Sequence, residues 1–168
     1  MSTWDAPEIS HTITITTTDG LARGFTGSIG TPASATYPTA DRALFFPFRI
    51  TEPITVVKMF AYNGAAVSGN VDVGIYDSAG TKIVSSGSTA QAGTSVLQEF
   101  DVTDTLLGPG LFYLAIALNN TTGTFFRTGT TLTRAKHLGA ATQATAFPLP
   151  ATATFSTAVS SYIPAMGL

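Results

Sequence analysis

Between Arg42 and Arg127 the chain is a succession of short apolar-alternating runs: RALFFPFRI, TVVKMFAYN, NVDVGIYDSAGTKIV, VLQEFDVTD, LFYLAIALN and TFFRT. Turns rich in Gly, Asn, Asp and Ser separate them, and no segment with a helical period intervenes. Strands of this length with turns at this spacing predict an all-β fold, a single antiparallel β-sandwich with a jelly-roll-like arrangement. Scaffolds of this kind bind or assemble, and nothing in these runs supplies a reaction.

The individual runs carry more detail. In LFFPF both parities are apolar, so this strand is expected to be buried on two sides, with Pro47 at an edge or bulge because it has no N–H for a ladder. The run from Ile54 to Tyr62 puts Val57, Met59 and Ala61 on one face, and Val56, Lys58, Phe60 and Tyr62 on the other. Val71, Val73 and Ile75 alternate with Asp72, Gly74 and Tyr76, which places the first three inward and the others outward. Asp77-Ser78-Ala79-Gly80 is a tight turn, since Asp suits its first position and Gly the left-handed one that follows. Further strands are expected over Val96 to Asp101, Leu111 to Leu118 and Thr124 to Thr128, with Asn119 to Gly123 as a hairpin loop between the last two. Leu111 to Leu118 is apolar almost throughout and reads as the central strand of the core.

The sandwich core is therefore expected over residues 41–128. Residues 1–40 read as an N-terminal arm with one strand in ISHTITITTT, followed by Gly-, Ser-, Thr- and Pro-rich text. Residues 129–168 are a Thr/Ala-rich C-terminal extension that offers a last strand between Thr152 and Ser160, completing the sandwich by pairing with the N-terminal one.

At 168 residues the chain can bury a core without staples, and it has no cysteine, which excludes disulfides and thiolate metal sites. Charged residues are 11% of the chain, against about 25% in ordinary domains. Two readings of that low charge stand side by side. Thr-rich solvent faces suit a pleated sheet, and surfaces covered by other protein are depleted in charge. The net charge of −2, with eight scattered Lys and Arg, argues against a nucleic-acid partner. No apolar run is long enough to span a bilayer, and MSTWDAPEIS lacks the basic and apolar regions of a signal peptide. The chain is expected to be made in a cytoplasm, with no membrane partner.

Chemistry-bearing residues are sparse. His11 and His137 lie far apart, Gly24 to Gly30 lacks the Lys-Ser/Thr of a phosphate loop, and no nucleophile elbow occurs. No catalytic residue, metal ligand or cofactor is assigned. A Ca²⁺ site near Asp72, Asp77, Asp101 or Asp104 is the carboxylate reading to weigh, against turn-capping roles for Asp77 and Asp104. The aromatics Trp4, Tyr62 and Tyr76 are the candidate ligand or interface residues. They would either stack on sugar rings or cover a second layer or a subunit contact.

The opening aromatic strand, SGNVDVGIYD, its small-residue hairpin, the QEFDVTDT segment and PGLFYLAIA together resemble a sandwich module of tailed-bacteriophage virion proteins, of the capsid-decoration or tail-fibre type. Carbohydrate-binding-like sandwiches share part of the pattern. The resemblance spans about Asp41 to Thr128. It implies a non-enzymatic virion structural protein that decorates or cements a phage head as a homo-oligomer, with a trimer fitting threefold lattice positions. Its partners would be the major capsid protein or tail proteins. The alternative it implies is a carbohydrate- or receptor-binding module of a tail fibre or spike, with a host glycan as ligand.

Overall fold

A computed structural model describes residues 33–128 and 131–168 of the chain. The described residues are nearly all β, in antiparallel sheets packed face to face, as the strand pattern requires. The strand expected in ISHTITITTT, together with Trp4 and His11, lies outside the described residues. Among those described, no helix is long and apolar enough to cross a membrane.

The strands are β1 (Ala33–Thr36), β2 (Ala43–Ile50), β3 (Ile54–Tyr62), β4 (Asn70–Asp77), β5 (Lys82–Ser85), β6 (Thr89–Ala90), β7 (Leu97–Leu107), β8 (Gly110–Leu118) and β9 (Thr124–Thr128). They are followed by α1 (Leu132–His137), β10 (Ala141–Gln143), β11 (Ser156–Thr157), β12 (Ile163–Pro164) and β13 (Met166–Gly167). The first sheet has seven strands in the order β11-β10-β2-β8-β4-β5, with β6 also on β4. Facing it are two three-stranded sheets, β1-β9-β12 and β13-β3-β7.

The C-terminal residues join those two small sheets. Ile163 and Pro164 pair with Thr128 and Arg127, while Met166 and Gly167 pair with Ala61 and Phe60. Between them Ala165 donates its N–H to the Phe126 carbonyl at 2.8 Å and accepts from the Tyr62 N–H at 2.9 Å. The chain end thus fills the space between β9 and β3 and extends the backbone pairing of both strands.

The principal core lies between the layers. Leu44, Phe46, Phe48 and Ile50 from β2, Val71, Val73 and Ile75 from β4, and Leu114, Ile116 and Leu118 from β8 project inward from the seven-stranded sheet. Val56, Met59, Ala61, Phe100, Phe125, Ile163 and Met166 meet them from the other side. The two-sided burial expected for LFFPF is present, because Ala43 and Phe45 point the opposite way into a second apolar cluster. β8 sits between β2 and β4, the central place its composition predicts. Pro47 pairs with Tyr113 beyond the stretch of β2 that β10 covers, so no ladder partner requires its missing N–H, and Gly139 lies against its ring instead.

Four expectations require correction. A register shift between Val56 and Lys58 turns the parity of β3, so Val56 joins Met59 and Ala61 in the core while Val57 is exposed. β7 does not turn at Asp101 but continues to Leu107. Asn119 to Gly123 is not a hairpin loop, since β8 and β9 belong to different sheets. The strand between Thr152 and Ser160 is only β11, and it pairs with β10.

Candidate functional site

The most elaborated surface is the outer face of the seven-stranded sheet, where residues 144–155 cross as a loop closed at its base by β10 and β11. That face is lined by small residues, with Ala43, Ala115 and Ala117 in the second cluster. At Gly74 a Cβ would lie 3.0 Å from Leu149 Cδ1 and 2.9 Å from the Val84 carbonyl. The absent side chain therefore makes the hollow that Leu149 fills. Phe155 stacks on Tyr113 with centroids 4.2 Å apart and meets Phe45 edge-on at 5.1 Å.

Polar groups of β4 and β5 then grip the loop backbone. Asp72 Oδ2 accepts the Leu149 N–H at 2.9 Å, and Lys82 Nζ donates to the Leu149 carbonyl at 2.7 Å. Tyr76 donates its hydroxyl to the Pro150 carbonyl at 2.6 Å. The Lys82 N–H reaches the Ala151 carbonyl at 2.9 Å, and the Ala153 N–H reaches the Gly80 carbonyl at 2.7 Å, framing a bridge between Thr81 and Thr152. Gly80, at φ +90°, is needed twice, because a Cβ there would also lie 2.5 Å from the Ala153 carbonyl.

Burial beneath this loop raises the Asp72 carboxyl above its ordinary value, opposed by the hydrogen bond from Leu149 and the charge of Lys82. Burial likewise raises the Tyr76 phenol, with the Asp72 charge adding to the effect. Such a pair of raised acids in a cleft would mark a reactive site. Here both are engaged with backbone and are shielded from solvent, which is a binding arrangement.

The residues singled out from sequence fall in different places. Tyr76 points away from the principal core as expected, yet it is fully buried under the loop, so it is not available to stack on a ligand from solvent. Tyr62 is half-buried on the opposite layer, edge-on to Phe126 at 4.8 Å, with its hydroxyl donating to the Ser95 carbonyl at 3.3 Å. Trp4 lies outside the described residues. The four aspartates are not gathered. Asp77 Oδ1 caps its own turn through the N–H groups of Ala79 and Thr81, and Asp101 and Asp104 are exposed on β7. Among the described residues no group of three or more His, Cys, Asp or Glu could hold a metal ion.

Sequence reasoning missed Lys82 and Leu149. The available signal was a Leu between two prolines, Pro148 and Pro150, in text otherwise rich in Thr and Ala. It also missed the buried amides Asn63 and Gln91. Gln91 Nε2 donates to Asn63 Oδ1 and the Thr124 carbonyl, while Asn63 Nδ2 donates to the Ala92 carbonyl and Gln98 Oε1. This network is fully partnered and pins the connections at one end of the sandwich.

No protein family, curated protein or solved structure matches the chain.

Proposed function

We propose that this protein is a non-enzymatic virion structural protein, a decoration or cement subunit that binds a phage head surface as a homo-oligomer. One observation carries the assembly part of that reading. Most of the large exposed hydrophobics among the described residues sit on β3, β7 or the residue before β7: Ile54, Val57, Val96, Leu97 and Leu106, the last 71% exposed. They lie toward both ends of this strand pair, with Ile54 and Leu106 at one and Val96 and Leu97 at the other. In a chain with so little charge, exposed apolar side chains concentrated on one strand pair favour protein contact over a solvated face. The virion part rests on the resemblance of residues 41–128 alone.

The test is light scattering on the full-length chain together with co-sedimentation on heads that lack it. A defined oligomer that binds heads, and that Leu106→Glu weakens while the melting temperature holds, is the expected result. A monomer that does not bind heads overturns the reading.

The glycan-binding alternative keeps one supporting observation, the half-exposed Tyr62 beside Phe126. It requires saturable binding on a host-glycan panel that Tyr62→Ala removes. Tyr76 no longer contributes to it.

A further inference from the structure

The loop 144–155 is held in the manner of a bound ligand. Its backbone is read by groups of another part of the chain: Asp72 and Lys82 on the two sides of Leu149, Tyr76 on Pro150, and the strand edge at Gly80 and Lys82 on Ala151 and Ala153. Side-chain recognition is confined to apolar insertion, with Leu149 over Gly74 and Phe155 against Tyr113 and Phe45. None of these contacts requires that loop and face share one chain.

One feature opposes the intramolecular placement. Thr145, at the entry to the loop, has φ +52°, in the left-handed region that a β-branched residue rarely occupies. The next residue is fixed there by the Ala146 N–H donating to the Asp41 carbonyl. Strain in a hinge invites exchange of the segment it holds, because the exchanged form can keep the contacts of Leu149 to Ala153 while it gives up the Ala146–Asp41 bond and releases the hinge.

We propose that the outer face of the seven-stranded sheet around Gly74 is a peptide-binding site for an extended, proline-flanked apolar segment, filled by the chain's own loop in isolation and by the same loop of a second copy in an assembly. The second copy is the occupant because it presents the matching Pro148-Leu149-Pro150 sequence on a hairpin already closed by β10 and β11. At a net charge of −2, two copies repel each other little. The site needs only another copy of this chain, and so it stands apart from the virion reading.

Thr81 and Thr152 supply the test. Both are exposed, and the hydrogen bonds flanking their bridge make them a non-hydrogen-bonded antiparallel pair, whose Cα atoms are about 4.5 Å apart. That is within reach of a disulfide, and the chain has no cysteine of its own. Full-length T81C protein is mixed with full-length T152C protein at high concentration and oxidised, and T81C mixed with T103C serves as the random-collision control. The expected result is a disulfide-linked heterodimer several-fold above the control, suppressed by an excess of a synthetic peptide spanning residues 144–155. A heterodimer no more abundant than the control, or undiminished by the peptide, overturns the exchange between copies.

A second arm tests the site itself. The labelled peptide should bind the full chain saturably, lose that binding when the double variant T81C/T152C is oxidised within one chain, and regain it on reduction. Replacing Leu149 by Pro in the peptide deletes the N–H that Asp72 reads and should weaken binding about tenfold or more. Absence of binding, or equal binding to the oxidised and reduced double variant, overturns the site.

Discussion

Asp72 and Lys82 hold one residue from both sides, the carboxylate accepting the Leu149 N–H and the ammonium donating to the Leu149 carbonyl. They come from neighbouring antiparallel strands, β4 and β5, so the tight turn at Asp77 to Gly80 is what sets their spacing. Opposite charges in a water-poor site favour each other, and each also satisfies a backbone group that would otherwise be buried unpaired. The arrangement turns the second face of a sandwich sheet, ordinarily solvated, into a third packed layer.

Removing the charge of Asp72 should flatten part of the pH dependence of stability. Burial raises this carboxyl, so the folded chain holds the proton to higher pH than the unfolded chain does. Stability from this group is greatest below the ordinary carboxylate range and falls as pH rises through the raised value. The Asp72→Asn variant keeps an acceptor for Leu149 and should gain on the parent protein across that window. Asp72→Ala strands the Leu149 N–H and should lose about 1–3 kcal/mol. Melting curves of the three proteins from about pH 3 to pH 8 give the difference, and a parent minus Asn curve that does not change with pH sinks the assignment.

Leu149 and Gly74 form a knob and its hollow, and each should be sensitive to a change in volume. Leu149→Ala empties a buried site and should cost about 2–5 kcal/mol. Gly74→Ala forces a methyl to within 3.0 Å of Leu149 Cδ1 and should cost about 1–3 kcal/mol. Because the two share one contact, the double variant should lose less than the sum of the single losses. Urea denaturation of the four proteins checks this, and strict additivity counts against the packing described.

Alkaline titration should divide the tyrosines. The hydroxyls of Tyr37, Tyr76 and Tyr162 all donate to backbone carbonyls, and burial first of all raises each phenol above its ordinary value. The unfolded chain ionises these groups first, so stability falls as pH rises from about 10. Absorbance at the tyrosinate band should show a fraction of the signal appearing only with unfolding, followed in parallel by circular dichroism. A single smooth titration in the native protein contradicts the burial.

Several of these features could be read from the residues alone, and others had no local trace. The alternation from Val71 to Tyr76 places Val71, Val73 and Ile75 inward because β4 pairs with β8 in unbroken register over the whole run. The same alternation sent Tyr76 outward, which is correct for the principal core. What covers it, however, is Thr/Ala-rich text whose docking depends mainly on Leu149, Phe155 and backbone hydrogen bonds, and composition does not reveal that. The exposure of Val57 comes from a register shift against β7, a property of two strands that neither run shows by itself. From the sequence, the strand ends at Asp101, and Asp104 caps a turn after it. β7 carries them on an exposed face instead, and charged residues there leave no hydrophobic alternation to follow.

The chain end should prove as important to stability as the central strand. Met166 is fully buried and Ile163 nearly so, and the backbone between them bonds to Phe126 on one side and Tyr62 on the other. Met166→Ala and Ile163→Ala should each cost about 2–5 kcal/mol, whereas Leu106→Ala, on the exposed face of β7, should change stability by no more than about 0.5 kcal/mol. Deleting residues 163–168 should do more than either substitution, since it opens the ladders of β9 and β3 together and leaves their N–H and C=O groups without partners. Hydrogen exchange offers the sharpest check. In the intact chain the Tyr62 and Ala165 amides should exchange only through global unfolding, at the same slow rate as core amides of β8. Exchange of these two amides far faster than those of β8 would mean that the chain end detaches on its own, and that the second layer holds without it.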